Sequence, residues 1–196
     1  MKIAIIGAGG INSWLIDKIF FAQRTSQINN DIQFHVYDGD QVEQKNISYQ
    51  NFKSLDILTN KATALAERYM LIDHPEFVEK ESILDEYDIV ICGVDNRVFR
   101  AMLFNYMEQH PEKYWIDLRA EGRFVAYYTK HKKNTLDILI ATLPAEGSGA
   151  TSCQLEYERS AGIIQYGNQI IATIGVQLLL NHLRGELNPP DFVQRF

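Results

Sequence analysis

The chain has 196 residues, of which 46% are hydrophobic and 22% charged, so we expect one globular domain over residues 1–196. Its formal net charge of -6 argues against a nucleic-acid-binding surface, which normally carries a basic patch. Since it has neither a signal-peptide pattern nor an apolar run of membrane-spanning length, we expect a cytoplasmic protein that binds no membrane.

The first half of the chain alternates strand-like and helical patterns. Short apolar runs rich in β-branched residues predict strands, and apolar residues spaced three and four apart predict helices. The predicted strands are 2–6, 32–37, 77–80 and 87–92, and the predicted helices are 12–24, 60–71 and 96–109. Such alternation is typical of a parallel sheet with helices on both faces.

The second half begins with three strand-like runs, at 114–118, 124–129 and 136–141. A loop rich in Gly, Ser and Ala follows at 144–152, then a long apolar helix at 165–183 that Gly185 ends, and an irregular tail from Pro189. We therefore predict an α/β fold with a Rossmann-like, mostly parallel sheet flanked by helices. Antiparallel strands are expected in the C-terminal part of that sheet.

A glycine-rich turn, Gly7-Ala-Gly9-Gly10, separates the first strand from the first helix. Glycines let backbone N–H groups approach phosphate oxygens, and the following helix adds the positive end of its dipole. Asn12 stands where the usual dinucleotide fingerprint has its third glycine. Asp38, at the end of the second strand, can accept hydrogen bonds from ribose hydroxyls. The pattern predicts a nucleotide site but does not choose between NAD and ATP.

The stretch after Asp38 separates these alternatives. It resembles the ThiF/MoeB/HesA family of adenylyltransferases, which is related to the activating enzymes of ubiquitin-like proteins. The family pattern is D-x-D-x-V-E-x-x-N-L-x-R-Q with a later K-A, and the matching positions are Asp38, Asp40, Val42, Glu43, Asn46, Gln50, Lys61 and Ala62. A strand ending in Asp95-Asn96 with Arg97 after it, and the closing helix, extend the resemblance over nearly the whole chain.

The resemblance implies ATP- and Mg²⁺-dependent adenylation of the C-terminal carboxylate of a small ubiquitin-like or sulfur-carrier protein. It also implies a homodimer, and the apolar final helix is a candidate for the contact with a second copy. The site residues that it implies are Gly7, Gly9, Gly10, Lys61, Asn46 and Gln50 at the phosphates, Asp38 at the ribose with Asp40 nearby, and Asp95 on Mg²⁺.

The chain departs from the family pattern at Tyr49, where relatives have an arginine. This removes one cation from the expected phosphate site, and Arg97, Arg100 and Arg119 are candidates to replace it. The loss favours a second hypothesis, a pseudo-enzyme subunit that binds nucleotide without turnover. A third hypothesis, an NAD-dependent oxidoreductase, is opposed by the motif that begins at Asp38. The paired C-x-x-C motifs of many relatives are missing, so no structural zinc is expected.

The two cysteines have different surroundings in the sequence. Cys92 lies in an apolar strand and is predicted to be a core residue. Cys153 follows the 144–152 loop in a Ser-Cys pair before the final helix, which resembles a short phage- and plasmid-associated ThiF-like subgroup. The resemblance implies that Cys153 takes the activated carboxylate as a thioester, a reaction that needs a thiolate. A small, partly buried structural residue is the alternative.

Overall fold

The computed structural model describes residues 1–143 and 166–196. The strands are β1 (Lys2–Ile6), β2 (Gln33–Tyr37), β3 (Ile72–His74), β4 (Ile89–Cys92), β5 (Tyr114–Glu121), β6 (Phe124–Thr129) and β7 (Asp191–Arg195). The α-helices of the described ranges are α1 (Asn12–Arg24), α2 (Lys61–Tyr69), α3 (Arg97–Gln109), α4 (Leu136–Ala141) and α5 (Gly167–Leu183). Short 3₁₀ helices cover Gln44–Asn46, Ser54–Asp56 and Glu81–Glu86.

The seven strands form one sheet in the order β3-β2-β1-β4-β5-β6-β7. Strands β1 to β5 pair in parallel, whereas β6 and β7 add in antiparallel orientation. The predicted Rossmann-like, mostly parallel sheet with antiparallel strands at its C-terminal part is therefore confirmed. Because β1 pairs with β2 on one side and β4 on the other, the strand order reverses at β1. A crevice opens at such a switch point, outside the carboxyl ends of the strands.

Helices cover both faces of the sheet, and successive side chains of β1 point to opposite faces. Ile3 and Ile5 belong to one core cluster with residues of α1, α2 and α5, and Ala4 and Ile6 belong to a second cluster with residues of α3 and α4. Helix α5 comes so close to β5 that a Cβ on Gly175 would lie 2.6 Å from Leu118 Cδ1. None of the described helices is long and apolar enough to cross a membrane.

The sequence-predicted strand at 136–141 is wrong, because Leu136–Ala141 is helix α4. Its β-branched residues suggested a strand, but the side chains at 136, 139, 140 and 143 follow helical spacing. Leu139 and Leu143 are buried, Leu136 and Ile140 pack against the same core cluster, and Ile138 is exposed. The period of burial is that of a helix, and it overrides the strand preference of the residue types.

Two further predictions of secondary structure are wrong, because they depend on strand pairing that the local sequence does not show. No strand forms at 77–80; β3 lies at Ile72–His74 and ends before Pro75, which has no N–H for the ladder. The tail after Pro189 is not irregular, because Asp191–Arg195 pairs with β6 as an edge strand. Prolines are tolerated just before an edge strand because no ladder hydrogen bond is lost there.

The predicted cap of α2 at Asn60 and the predicted stop of α5 at Gly185 agree with the structure, whereas α2 ends at Tyr69, two residues earlier than predicted. The Asn60 side chain accepts hydrogen bonds from Ala62 N (2.8 Å) and Thr63 N (3.2 Å) at the start of α2. Gly185 has a φ of +73°, and the N–H of the next residue, Glu186, donates to Asn181 O at 2.8 Å. This left-handed residue closes α5, because glycine adopts such a conformation at little steric cost.

His35 makes the stability of the fold dependent on pH. Its Nδ1 lies 3.0 Å from His74 Nε2, and burial, followed by the neighbouring His74, lowers the pKa of His35 below its ordinary value of 6.5. As pH falls through 6.5 the unfolded chain takes up a proton before the folded chain does, so the free energy of unfolding decreases. We expect urea denaturation at about pH 5.5 and 7.5 to show this loss, and His35→Gln to reduce it. An unchanged pH dependence in the variant would contradict this role of His35.

Candidate functional site

A cleft of about 740 Å³ lies at the carboxyl ends of β1, β2 and β4, where the strand order reverses. It is lined by all the predicted nucleotide and metal residues that fall in the described ranges, namely Gly7, Gly9, Gly10, Asp38, Asp40, Asn46, Gln50, Lys61 and Asp95. Tyr49 also lines it. Cys153 lies outside the described residues. Side chains from three separate loops thus meet at one place, as expected for the ends of neighbouring parallel strands.

Two glycines of the turn, Gly7 and Gly10, stand where a side chain would meet neighbouring atoms. Gly7 has a φ of +86°, and a Cβ there would lie 2.8 Å from Val94 Cγ1. Gly10 faces the final helix, and a Cβ there would lie 2.6 Å from Asn168 Nδ2. The turn therefore packs closely against both the loop after β4 and the start of α5, which leaves no room for a side chain at either position.

Asn12 takes the place of the third fingerprint glycine and stabilises the turn. Its Nδ2 donates to Ile6 O at 2.9 Å and to Gly7 O at 2.8 Å. The side chain is fully buried and lies against Gly93, where a Cβ would be 2.6 Å from the Asn12 amide. Asn12 thus bonds to the carboxyl end of β1 and packs against the loop after β4, so this departure from the glycine fingerprint has a structural role.

Asp38 is 7% exposed and uses both carboxylate oxygens, one toward the glycine turn and one toward the loop after β2. Oδ2 accepts from Ala8 N at 2.7 Å, and Oδ1 accepts from Asp40 N at 2.9 Å. Burial raises the pKa of Asp38 above its ordinary value, although Lys61 and the two N–H donors lower it. Since each carboxylate oxygen has a second lone pair, Asp38 keeps the capacity to accept hydrogen bonds from a diol.

Lys61 extends from the first turn of α2 into the cleft. Its Nζ lies 2.8 Å from Asp40 Oδ2, and its side chain is 10% exposed while that of Asp40 is 58% exposed. The Lys61 backbone N–H also donates to Asp40 O at 2.9 Å. The helix dipole disfavours a cation at a helix N-terminus. The nearby carboxylate of Asp40 compensates for this unfavourable interaction.

The loop after β2 forms the wall that carries Asn46, Tyr49 and Gln50. Asn46 Oδ1 accepts from Glu43 N at 2.8 Å, and its Nδ2 lies 3.4 Å from the Tyr49 hydroxyl. Tyr49 is 8% exposed, and its carbonyl accepts from Trp14 Nε1 at 3.2 Å. Gln50 is 8% exposed, and its Oε1 has no hydrogen-bond partner among the described residues. A buried amide oxygen without a partner is costly, so it indicates a place where a ligand or water binds.

Asp95 is exposed at the edge of the cleft, directly after β4. The helix that follows, α3, has a different residue as its N-cap. The cap is Asn96, whose Oδ1 accepts from Phe99 N at 3.1 Å. The carboxylate of Asp95 is therefore not the cap of α3.

The charges around the cleft are mostly negative. Five carboxylates and two lysines line it among the described residues: Asp38, Asp40, Glu43, Glu79, Asp95, Lys45 and Lys61. Lys45 was missed from the sequence because it stands at a variable position of the family pattern. Also missed was an apolar part of the wall, formed by Phe77, Val78, Val98, Phe99 and Met102. The cleft combines an apolar region with a polar region that a polyanion can enter only with help from N–H donors and cations.

The arginines expected to replace the one absent at Tyr49 lie elsewhere. Arg100 Nε is 3.1 Å from Asp117 Oδ1, and Arg119 Nε is 2.7 Å from Asp117 Oδ2. Neither arginine lines the cleft, and Arg97 is not on its wall either. Arg100 and Arg119 therefore neutralise a buried aspartate, and none of the three arginines lines the cleft.

The structure also describes the surroundings of Cys92 and of the expected metal site. Cys92 is fully buried, as predicted, and burial raises the pKa of its thiol to about 12, so the thiolate does not form near neutral pH. Within residues 1–143 and 166–196, no group of three or more His, Cys, Asp or Glu side chains is placed to hold a metal ion.

Comparison with solved structures places the fold among known proteins. The structure of PaaA is similar with a TM-score of 0.70 and 15% identity, covering 100% of this chain and 60% of that one. MccB of E. coli, solved with ATP, gives a TM-score of 0.61 and 15% identity, covering 99% and 62%. TcdA of E. coli, a tRNA N6-threonylcarbamoyladenosine dehydratase, gives 0.66 and 17%, covering 94% and 86%. The chain thus spans less than two thirds of the PaaA and MccB chains.

At the level of sequence, no curated protein matches the chain. The family model described as the ThiF family matches residues 1–196, which is the whole of the chain given. The structural neighbours have the same fold, and the cleft lies at the switch point of its sheet. Proteins of this family bind ATP, and membership supports adenylation-type chemistry in general. The chain belongs to the ThiF family.

Proposed function

We propose that this protein adenylates the C-terminal carboxylate of a small ubiquitin-like or sulfur-carrier protein, using ATP and Mg²⁺. The observation that carries the proposal is the meeting of the glycine turn, Asp38, Lys61 and Asp95 in one cleft at the switch point of a ThiF-family fold. We further propose that residues 1–196 act as one adenylation domain, in a homodimer, and bind neither nucleic acid nor membrane.

The cleft suits a nucleotide lying across its two regions. The adenine would lie against the apolar part of the wall, where Phe77 and Val98 are exposed. The ribose hydroxyls would donate to the remaining lone pairs of Asp38. The phosphates would lie at the N–H groups of the glycine turn and beside Lys61. Asn46 and Gln50 would orient the phosphates from the opposite wall, with the unpartnered Gln50 oxygen meeting the metal's water shell.

Adenylation needs positive charge where the reaction develops negative charge. When a carboxylate attacks the α-phosphorus, charge accumulates on the phosphoryl oxygens and on the departing pyrophosphate. Lys61 is preorganised by its ion pair with Asp40, and the glycine turn is held by the hydrogen bond from Ala8 N to Asp38 Oδ2. They can therefore meet this charge without reorganising at the moment of reaction.

Magnesium fits the acidic character of the cleft. Mg²⁺ takes few protein carboxylates and shares phosphate oxygens and waters as its other ligands. Asp95 offers an exposed carboxylate on the cleft wall, apart from the N-cap of α3. Asp95 would hold the Mg²⁺ ion, which would neutralise part of the phosphate charge. Lys61 would bind the phosphate oxygens that do not contact Mg²⁺.

The acceptor and the later steps are proposed by analogy with relatives. MccB has been solved together with MccA, whereas TcdA is named for its action on tRNA. The acidic net charge of -6 favours a protein carboxylate over a nucleic acid as the acceptor. Cys153 is proposed to take the activated acyl group as a thioester. A Cys153→Ser variant that still formed a reducible conjugate would remove that role.

The test is ATP–pyrophosphate exchange, measured with Mg²⁺ and a panel of ubiquitin-like and sulfur-carrier proteins. We expect exchange with a cognate acceptor and none with the same acceptor lacking its last residues, because the attacking carboxylate is then misplaced. Calorimetry of the isolated protein should show binding of ATP that requires Mg²⁺. Binding of ATP with no exchange for any acceptor would instead favour the pseudo-enzyme subunit.

The pseudo-enzyme subunit is the second candidate because Tyr49 fills the position of the family arginine and is 8% exposed. In that case the protein would complete the site of a partner rather than turn over ATP. An NAD-dependent oxidoreductase is the least supported hypothesis. Tight binding of NAD in the same calorimetric titration, without binding of ATP, would overturn the adenylation proposal.

A further inference from the structure

Lys45 lies on the cleft wall, four residues before Tyr49, in the 3₁₀ helix Gln44–Asn46. Its Nζ is 2.9 Å from Glu43 Oε1, and its side chain is 54% exposed. An ion pair exposed to this extent contributes little to folding, since solvent screens both charges. The pair is therefore easily rearranged when a stronger anion enters the cleft.

The backbone that carries Lys45 is held in place on both sides. Asn46 N donates to Glu43 O at 2.9 Å, and Gln50 N donates to Asn46 O at 2.9 Å. The Asn46 side chain closes the turn by accepting from Glu43 N at 2.8 Å. A flexible lysine side chain thus starts from a fixed point, so that its ammonium group can reach a ligand without a movement of the loop.

The rest of this wall also indicates a ligand. Gln50 is more than nine-tenths buried, and its Oε1 has no partner within the described ranges. Of the two lysines found on the described part of the wall, Lys61 is bound to Asp40 on the α2 side. Lys45 lies on the same loop as Tyr49, the position of the family arginine.

We propose that Lys45 supplies the phosphate-directed positive charge that Tyr49 does not. The inference rests on the proposed binding of ATP in this cleft. On binding, the Lys45 ammonium leaves Glu43 and pairs with the polyphosphate, a charge-assisted contact that is stronger because the polyphosphate carries more negative charge than a single carboxylate. A cation therefore remains on this loop, four residues before Tyr49, although the family arginine is absent.

The test is calorimetric titration of Lys45→Ala with ATP plus Mg²⁺ and with AMP. We expect about tenfold weaker binding of ATP and little change for AMP, which carries fewer phosphate charges. Lys45→Arg should bind ATP as the unchanged protein does. The matched control is Lys132→Ala, which removes the same charge from an exposed residue after β6, away from the cleft.

A second variant separates a direct role from a general effect of charge. Adding Tyr49→Arg to Lys45→Ala should restore most of the lost ATP affinity, because it returns the cation to the family position. Thermal unfolding of the double variant shows that it is folded. Lys45→Ala and Lys132→Ala binding ATP equally well would overturn the inference, as would a folded double variant no better than Lys45→Ala. Failure of the unchanged protein to bind ATP with Mg²⁺ would contradict the proposed function itself.

Discussion

Lys61→Ala is expected to lower ATP–pyrophosphate exchange by about 100-fold or more while leaving the fold intact. The proposed role of Lys61 is to stabilise the charge that develops on the phosphates. Its Nζ is fixed 2.8 Å from Asp40 Oδ2, and its side chain is 10% exposed. Removing a preorganised cation from such a shielded place typically costs several kcal/mol of transition-state stabilisation.

The expected effect on stability is small and separates the catalytic role from a structural one. Lys61 is the first residue of α2, where the helix dipole disfavours a positive charge and alanine is a good helix former. Its partner Asp40 is more than half exposed and can be hydrated when the lysine is removed. We expect the free energy of unfolding to change by less than about 1 kcal/mol.

The measurements are exchange with a cognate acceptor and urea denaturation, both compared with Lys132→Ala. The control carries the same change of charge away from the cleft and should match the unchanged protein in both. Exchange within about twofold of the unchanged protein would remove Lys61 from the mechanism. A large loss of stability in Lys61→Ala would show instead that the lysine is structural.

Much of the fold could be predicted from the sequence because its signals are local. The strand Lys2–Ile6, the glycine turn and the helix that follows are each specified by adjacent residues, and the structure has them as predicted. The end of α5 at Gly185 is another local signal, since a single left-handed residue decides it. Elements with such signals can be predicted without knowing which distant residues they contact.

The errors occurred where a distant partner decides the structure. The strand Asp191–Arg195 forms because β6 offers an open edge, and its partner Phe124 is far away in the sequence. Residues 136–141 become a helix because α4 packs against α3, which selects the helical spacing of the buried leucines. Pairing and packing of this kind follow from the tertiary arrangement and are not visible in a short window of sequence.

The candidate site was predicted in part for the same reason. Asp38 and Lys61 fall in register with a family pattern, and the structure brings both to the cleft. Lys45 and Phe77 carry no such signal, because only the course of the loops after β2 and β3 brings them to the wall. Conversely, Arg100 and Arg119 looked suitable in the sequence, but both pair with Asp117.

Asp117→Asn is expected to destabilise the protein by about 3 to 5 kcal/mol, the largest stability effect proposed for a single substitution of this chain. Asp117 is fully buried on β5, and its carboxylate contacts Arg119 Nε at 2.7 Å and Arg100 Nε at 3.1 Å. Both guanidinium groups are themselves mostly buried. Removing the single negative charge between them leaves two positive charges in a medium that solvates them poorly.

The arrangement around Arg119 adds to the cost. Its Nη1 donates to Thr142 O at 2.9 Å and to Thr142 Oγ1 at 3.0 Å, and its guanidinium lies 4.4 Å from the centre of the Tyr128 ring. The side chain is thus held between α4 and β6 and cannot turn to water when Asp117 is neutralised. The repulsion between the two arginines then lowers the stability of the folded state.

Urea denaturation of Asp117→Asn beside Asp31→Asn tests this prediction. Asp31 is exposed, and its substitution makes the same chemical change with little expected effect on stability. A triple variant, Arg100→Met with Asp117→Leu and Arg119→Met, should be more stable than Asp117→Asn alone, because a buried ion cluster replaced as a whole leaves no charge uncompensated. A loss below about 1 kcal/mol in Asp117→Asn would show that the guanidinium groups reach water.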